Sequence, residues 1–319
     1  MAIKPKYRDR LPLRSDKIFL TDGGMETTLI FHDGVDLPCF ASFTLLDSAD
    51  GTARVRDYYR RYAAIASRAG LGFVLETPTW RANRDWAAKL GYSPARLAEA
   101  NRKAVDIMAA IRAEFETPAT PYVISGCIGP RGDGYDPGRV MSVAEARDYH
   151  AEQIAVFRET QADFVSAFTM NTVTEATGIA MAAKAADMPV VLSFTLETDG
   201  RLPTGESLKD AISQVDAATA AAPVYYMINC AHPTHFRDVI ANGEDWVARI
   251  GGLRGNASRR SHAELDAATE LDAGDPAEFG RLHRELRRLL PHANVLGGCC
   301  GTDHRHVEQI CFACEAVAA

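Results

Sequence analysis

Asn294-Val295-Leu296-Gly297-Gly298-Cys299-Cys300-Gly301-Thr302 is a short apolar run that ends in glycines and delivers two adjacent thiols at one point. It is the last of eight similar segments, and that count decides the fold. Each segment is a β-branched or aromatic run closed by Gly, Thr, Asn or Cys, and each is followed by a longer stretch with helical spacing. Strands are expected at Ile18–Thr21, Gly72–Thr77, Tyr122–Gly126, Asp163–Phe168, Val190–Phe194, Tyr225–Asn229, Arg249–Arg254 and Asn294–Gly297. The first helix is expected from Arg54 to Ala69, where Val55, Tyr58, Tyr59, Tyr62, Ile65 and Ala66 recur at three and four. Helices over Pro94–Phe115, Val143–Thr160, Thr174–Ala186, Ser207–Thr219, Pro276–Leu290 and Asp303–Val317 follow the same logic, with a short one after Pro233. The polar segment from Asn256 to Asp275 reads as an excursion that separates the seventh strand from the helix at Pro276.

Eight βα units are the number that closes a (β/α)₈ TIM barrel, an α/β fold. A doubly wound open sheet shows the same alternation with fewer units, and usually a G-x-G-x-x-G loop after its first strand, which is absent here. No internal boundary is visible, so residues 1–319 read as one domain, with the barrel proper from about residue 16. With 319 residues, 47% apolar and 24% charged, the chain can bury a full core. A net charge of -7, without basic clusters among aromatics, argues against nucleic acid as a partner. The charged N-terminus and the lack of a long apolar run argue against a signal peptide or a membrane span, so a cytoplasmic protein is expected. Seven cysteines in such a chain favour metal or thiol chemistry over a disulfide framework.

A barrel brings all strand C-terminal ends to one face, so thiols distant in sequence meet there. Cys299 and Cys300 need a third partner, and Cys230 follows the run Val224–Asn229 just before the turn signal Ala231-His232-Pro233. Three soft thiolates select zinc over magnesium or calcium, and tetrahedral coordination then leaves one position open. Three negative ligands on a divalent ion leave a formal charge of about -1, a poor Lewis acid. Such a centre suits holding another thiol as a thiolate, and the expected reaction is alkylation of that thiolate. Hydrolysis is disfavoured for the same reason and for want of His and carboxylate ligands. Cys311 and Cys314 form a C-x-x-C, but they fall among Val307, Ile310, Phe312 and Val317 and read as helix packing. Cys39 and Cys127 read as structural or incidental, although Cys127, just after the third strand, is placed to line the pocket, and His232 and His235 lie beside the ligand loop.

Several stretches together resemble the homocysteine S-methyltransferases, a family of zinc-dependent (β/α)₈ barrels. They are Thr21-Asp22-Gly23-Gly24-Met25-Glu26-Thr27-Thr28-Leu29, Ser193-Phe194-Thr195 with Asp199-Gly200-Arg201-Leu202 and Gly205-Glu206-Ser207-Leu208, Asn229-Cys230 with Pro233, and Gly297 to Thr302 with His306. The resemblance spans roughly Ile18 to the C-terminus. It implies that Cys230, Cys299 and Cys300 bind Zn²⁺ and that Asp22 helps bind an amino-acid acceptor. Asp22 and Glu26 are expected to serve catalysis, and Asp22, Glu76, Thr77 and Asn229 to contact substrate.

The resemblance further implies methyl transfer from an onium donor, such as S-methylmethionine, another sulfonium compound or betaine, to the thiol of homocysteine or a related acceptor. Trp80, Trp86 and Tyr135 lie in the expected loops and are candidate faces for a cationic donor. One departure bears on the acceptor. Where many relatives carry Phe-Glu-Thr after the fourth strand, this chain reads Ala167-Phe168-Thr169, so Phe168 stands where a glutamate would receive the amino group. Either another acid, such as Glu76 or Glu197, substitutes, or the acceptor is a different thiol. A non-catalytic zinc-binding barrel or thiol sensor is the alternative reading. A homo-oligomer is compatible with the chain, although few residues follow the cysteine pair to build an assembly arm.

Overall fold

The computed structural model describes residues 4–315. Eight parallel strands, β1 (Phe19–Leu20), β2 (Gly72–Glu76), β3 (Tyr122–Ile128), β4 (Phe164–Met170), β5 (Val190–Phe194), β6 (Tyr226–Asn229), β7 (Ile250–Gly255) and β8 (Val295–Gly298), close a barrel in sequence order. Closure is made by β1, which pairs Phe19 with Gly72 of β2 on one side and with Val295 of β8 on the other. The outer helices are α1 (Ala49–Ala69), α2 (Pro94–Phe115), α3 (Val143–Arg158), α4 (Val173–Ala185), α5 (Leu208–Thr219), α6 (Pro233–Ile240), α7 (Pro276–Leu289) and α8 (His304–Glu315). The chain is thus a single-domain (β/α)₈ barrel, as its eight repeats predict.

Helix boundaries follow local chemistry. The first helix starts five residues before the expected Arg54 because Ser48 accepts a hydrogen bond from Gly51 N and satisfies an otherwise orphaned donor. Ser142 and Glu145 form a reciprocal capping box at α3. On α1 the apolar spacing buries Val55, Tyr58, Tyr59, Tyr62, Ile65 and Ala66 against the barrel, each large side chain contributing roughly 1.5–3 kcal/mol.

Inside the barrel, Phe19, Val74, Val123, Phe164, Val191, Tyr225, Met227 and Val295 pack with Leu13, while Tyr7 and Leu11 lie against this cluster. The segment before the expected start at residue 16 therefore forms the barrel floor. It is tied down by Tyr7 N donating to Asp163 Oδ1 at 2.7 Å and by the Arg8 guanidinium donating to the carbonyl oxygens of Arg158, Thr160 and Ala162. With the bottom filled, the opening is left at the C-terminal ends of the strands.

Glycine matters most at the closure seam. A Cβ on Gly297 would lie 1.9 Å from Thr21 Oγ1, and one on Gly298 would lie 2.0 Å from Thr302 Oγ1. The doublet is therefore there for close approach of β8 to its neighbours, and the turn itself is made by Gly301 at φ 78°. The other irregularity is in β4, whose pairing with β5 shifts register between Ala167 and Met170, with Thr169 at φ 61°. This bulge turns Phe168 and Thr169 toward the mouth.

Candidate active site

The strand ends surround a cavity of about 680 Å³, lined among others by Asp22, Glu26, Glu76, Thr77, Asn229, Cys230, Cys299 and Cys300. All residues expected to bind metal or substrate thus share one space.

At its wall the three sulfurs of Cys230, Cys299 and Cys300 lie within 4.8 Å of one another. Cys230 and Cys300 are 3.9 Å apart, sulfur to sulfur. An edge of a tetrahedron with metal–sulfur bonds of about 2.3 Å is about 3.8 Å long, so this spacing fits zinc. Cys230 and Cys299, with Cα atoms 5.5 Å apart, bring their sulfurs into disulfide contact. That pairing, which the sequence did not anticipate, falls inside the metal set because thiols focused on one point are also within bonding reach of each other. Around them Asn229 Nδ2 lies 3.8 Å from Cys299 Sγ, Thr169 Oγ1 3.9 Å from Cys230 Sγ, and Tyr135 Oη 3.6 Å from Cys300 Sγ. Burial pushes the Cys300 thiol up to about 11. A cation placed among the thiols would favour their ionisation.

The carboxylates occupy the adjoining wall. Asp22 is buried, accepts from Tyr58 Oη at 3.1 Å and faces Arg254 Nη2 at 2.8 Å through Oδ1. Its pKa is raised because burial outweighs the arginine. Glu26 accepts from Ser42 Oγ at 2.7 Å, and burial raises it as well. Glu76 is only 4% exposed; its Oε1 accepts from Ser166 Oγ at 3.2 Å with the Ser125 hydroxyl close by, while among the described residues its Oε2 has no hydrogen-bond donor. Burial, against the weaker pull of Arg254, pushes its carboxyl up to about 7. A buried carboxylate oxygen without a donor is an acceptor waiting for one.

Thr77 and Asn229 serve the frame as well as the cavity. Thr77 Oγ1 accepts from Cys127 N at 2.8 Å. The Asn229 carbonyl accepts from Thr169 N and Ser193 Oγ at 2.9 and 2.6 Å, and its amide donates to Thr169 Oγ1 at 2.9 Å. Asn229 thereby holds the β4 bulge beside the cysteines. Cys127 lines the cavity, and Cys311 and Cys314 are buried in the outer core, as their spacing suggested.

Several expectations are corrected. Trp80 and Trp86 both line the cavity, but the Arg81 guanidinium already lies 4.2 Å and 4.0 Å from their ring centroids. Glu197 is not a cavity acid; it pairs with His262 Nδ1 at 3.0 Å. His232 and His235 stay outside the cavity: His232 caps α6 by accepting from Thr234 N, and His235 bonds to the Arg259 carbonyl.

Two features of the cavity escaped the sequence reading. Arg254 on β7 donates to the carbonyls of Gly298 and Gly23 at 2.9 and 3.1 Å as well as facing Asp22, and so joins β7, β8 and β1. An arginine inside a buried strand is itself a signal, since it must be paired. The expected excursion carries a short helix, His262–Asp266, opened by a Ser261/Glu264 capping box that the spacing Ser-x-x-Glu announces. Its Leu265 and Asp266, with Ala268 and Leu271, roof the cavity.

Three thiols and a group of buried carboxylates at the strand-end face of a (β/α)₈ barrel define an enzyme site built for thiol chemistry. The homocysteine S-methyltransferase family model matches residues 19–314, and the chain belongs to that family. It is a thiol methyltransferase, which sets aside the reading as a non-catalytic barrel. The chain is 24% identical over 315 residues to a selenocysteine Se-methyltransferase of Brassica oleracea var. italica, covering 91% of this chain and 87% of the relative. Among solved structures it resembles the homocysteine methyltransferase MmuM from Escherichia coli. The oxidized form superposes with a TM-score of 0.73 at 20% identity, covering 96% of this chain and 99% of the other. The metallated form gives 0.72 at 20% identity, covering 98% and 100%. Among the described residues no helix is long and apolar enough to cross a membrane.

Proposed function

We propose that this methyltransferase transfers a methyl group from a cationic onium donor to the thiol of homocysteine or a closely related amino-acid thiol, at a zinc centre held by Cys230, Cys299 and Cys300. The observation that carries the reading is the unpartnered Glu76 Oε2, buried in the same cavity as the three sulfurs. An acceptor with its thiol at the cysteines and an ammonium group elsewhere supplies the missing donor. Glu76 thus takes the part of the carboxylate that Phe168 replaces. Zinc held by three thiolates would supply the means of keeping the acceptor sulfur deprotonated while leaving it electron-rich. The metallated form known for MmuM and the donor set here support that assignment.

The chain's own groups account for the rest. Asn229, Thr169 and Tyr135 place polar hydrogens beside the cysteine sulfurs and temper their charge. Asp22, fixed by Tyr58 and Arg254, presents a second carboxylate toward the acceptor. Seven carboxylates line the cavity against two guanidinium groups. That balance favours entry of a cationic methyl donor and departure of the neutral product. The Asp266 carboxyl at the roof is raised by burial and by Asp133, so a cation there relieves a repulsion.

The test is incubation of zinc-loaded protein with homocysteine and a panel of sulfonium and ammonium donors, with mass detection of the methylated thiol. Turnover with homocysteine far above that with thiols lacking the amino group is expected. Equal turnover with simple thiols would overturn the acceptor assignment, and full activity after complete chelation would overturn the metal.

A further inference from the structure

Cys230 is held in an unusual backbone state. Its φ is 51°, in the left-handed region that residues other than glycine rarely occupy. The surroundings must enforce it, and they do so from both ends of the residue. Its N–H donates to the Arg254 carbonyl at 3.2 Å, a contact between neighbouring strand ends. Its carbonyl receives the Nε2 of His262 at 2.6 Å, a side chain that arrives from the short roof helix 32 residues further along.

His262 is 6% exposed and fully engaged. Its Nδ1 meets Glu197 Oε1 at 3.0 Å, on the loop after β5. Both ring nitrogens therefore face oxygens, which fixes the orientation of the ring. The imidazole face stacks on Tyr135, with centroids 3.9 Å apart and planes 17° from parallel. The Tyr135 hydroxyl in turn lies 3.6 Å from Cys300 Sγ. One ring thus fixes the backbone of one sulfur donor and the aromatic group that touches another.

We propose that His262, oriented by Glu197, is a positioning residue of the cysteine centre: it sets the Cys230 backbone and the Tyr135 ring so that the sulfurs of Cys230 and Cys300 converge on one metal. The assignment rests on the zinc reading above. Groups of this kind around metal ligands typically account for about 10- to 100-fold in affinity. The contact also couples the roof to the metal, because His262 opens the helix whose Leu265 and Asp266 cover the cavity.

The experiment is cobalt(II) substitution of the reduced full-length protein, read by its sulfur-to-metal charge-transfer and visible bands, together with zinc competition against a chromophoric chelator. Wild type should bind one cobalt with a tetrahedral thiolate spectrum. His262→Ala should shift the visible bands and weaken zinc binding by about 10- to 100-fold. Glu197→Gln, at a partly exposed loop position, should shift both in the same direction by less. His235→Ala, a nearby histidine outside the cavity, should match wild type. Unchanged spectra and affinity in His262→Ala with wild-type thermal unfolding would overturn the proposal. If that variant does not fold, an unchanged spectrum in Glu197→Gln overturns it instead. Failure of wild type to take up cobalt or zinc would strike the zinc reading itself, and so is distinct from failure of the histidine's role.

Discussion

Arg254 Nη2 lies 2.8 Å from Asp22 Oδ1, joining the end of β7 to the segment that follows β1 across the lip of the barrel. Both groups are buried, and the guanidinium also holds the Gly298 and Gly23 carbonyls. Removing one charge strands the other. Arg254→Met should lower stability by about 3–5 kcal/mol in urea unfolding, and Asp22→Asn in the Arg254→Met background should restore much of that loss.

Glu76 gives a pH signature. Its carboxyl is pushed up to about 7 in the folded chain by burial, against about 4.3 when unfolded. The folded state holds this proton longer than the unfolded state, so the associated stability is present at low pH and is lost as pH rises to about 7. Glu76→Gln should flatten that fall in a series of unfolding midpoints.

The same group should govern acceptor binding. An acceptor ammonium pairs with the carboxylate form, so the KM for homocysteine should decrease between pH 6 and 8. Glu76→Gln should abolish this dependence and raise KM by about 30-fold or more, corresponding to roughly 2 kcal/mol for breaking a buried charged pair. Steady-state kinetics across that range would show it, and an unchanged KM would assign the ammonium to another carboxylate.

Metal content separates the cysteines. Cys230→Ser, Cys299→Ser and Cys300→Ser should each lose bound zinc and methyl transfer, as measured by metal analysis and product mass. Cys314→Ala, buried in the outer core, should keep full metal and activity while losing about 1 kcal/mol of stability.

Chelation should expose the thiols to oxidation. With zinc removed and diamide as oxidant, Cys230 and Cys299 should link, giving a peptide pair lighter by two hydrogens, and activity should return only with both a reductant and zinc. Zinc-loaded protein should resist the same treatment.

The repeat of β-runs and helices made the barrel legible before any coordinates, because parallel strands buried on both faces must be apolar runs and their ends must share a face. For the same reason Cys230, Cys299 and Cys300 could be brought together from positions 69 and more residues apart. Arg254 and His262 were not legible as site residues. One sits in a strand that its glycines weaken, and the other in a polar stretch whose helix is a single turn opened by a capping box. Their roles come from long-range partners, Asp22 and Cys230, that local spacing does not reveal. Trp80 and Trp86 were legible as aromatic groups of the loops, whereas the Arg81 guanidinium over both rings is a packing contact that local spacing does not show.

The closure of β1 onto β8 also has a consequence for the order in which the protein comes into being. Cys299 and Cys300 follow directly on β8, the strand that pairs with β1. A chain made from its N-terminal side has Cys230 but no Cys299 or Cys300 until β8 follows, so the three thiols gather only when β8 has closed on β1. On the zinc reading proposed above, the full ligand set then exists only in a closed barrel, and a chain that stops short of β8 presents Cys230 without its two partners.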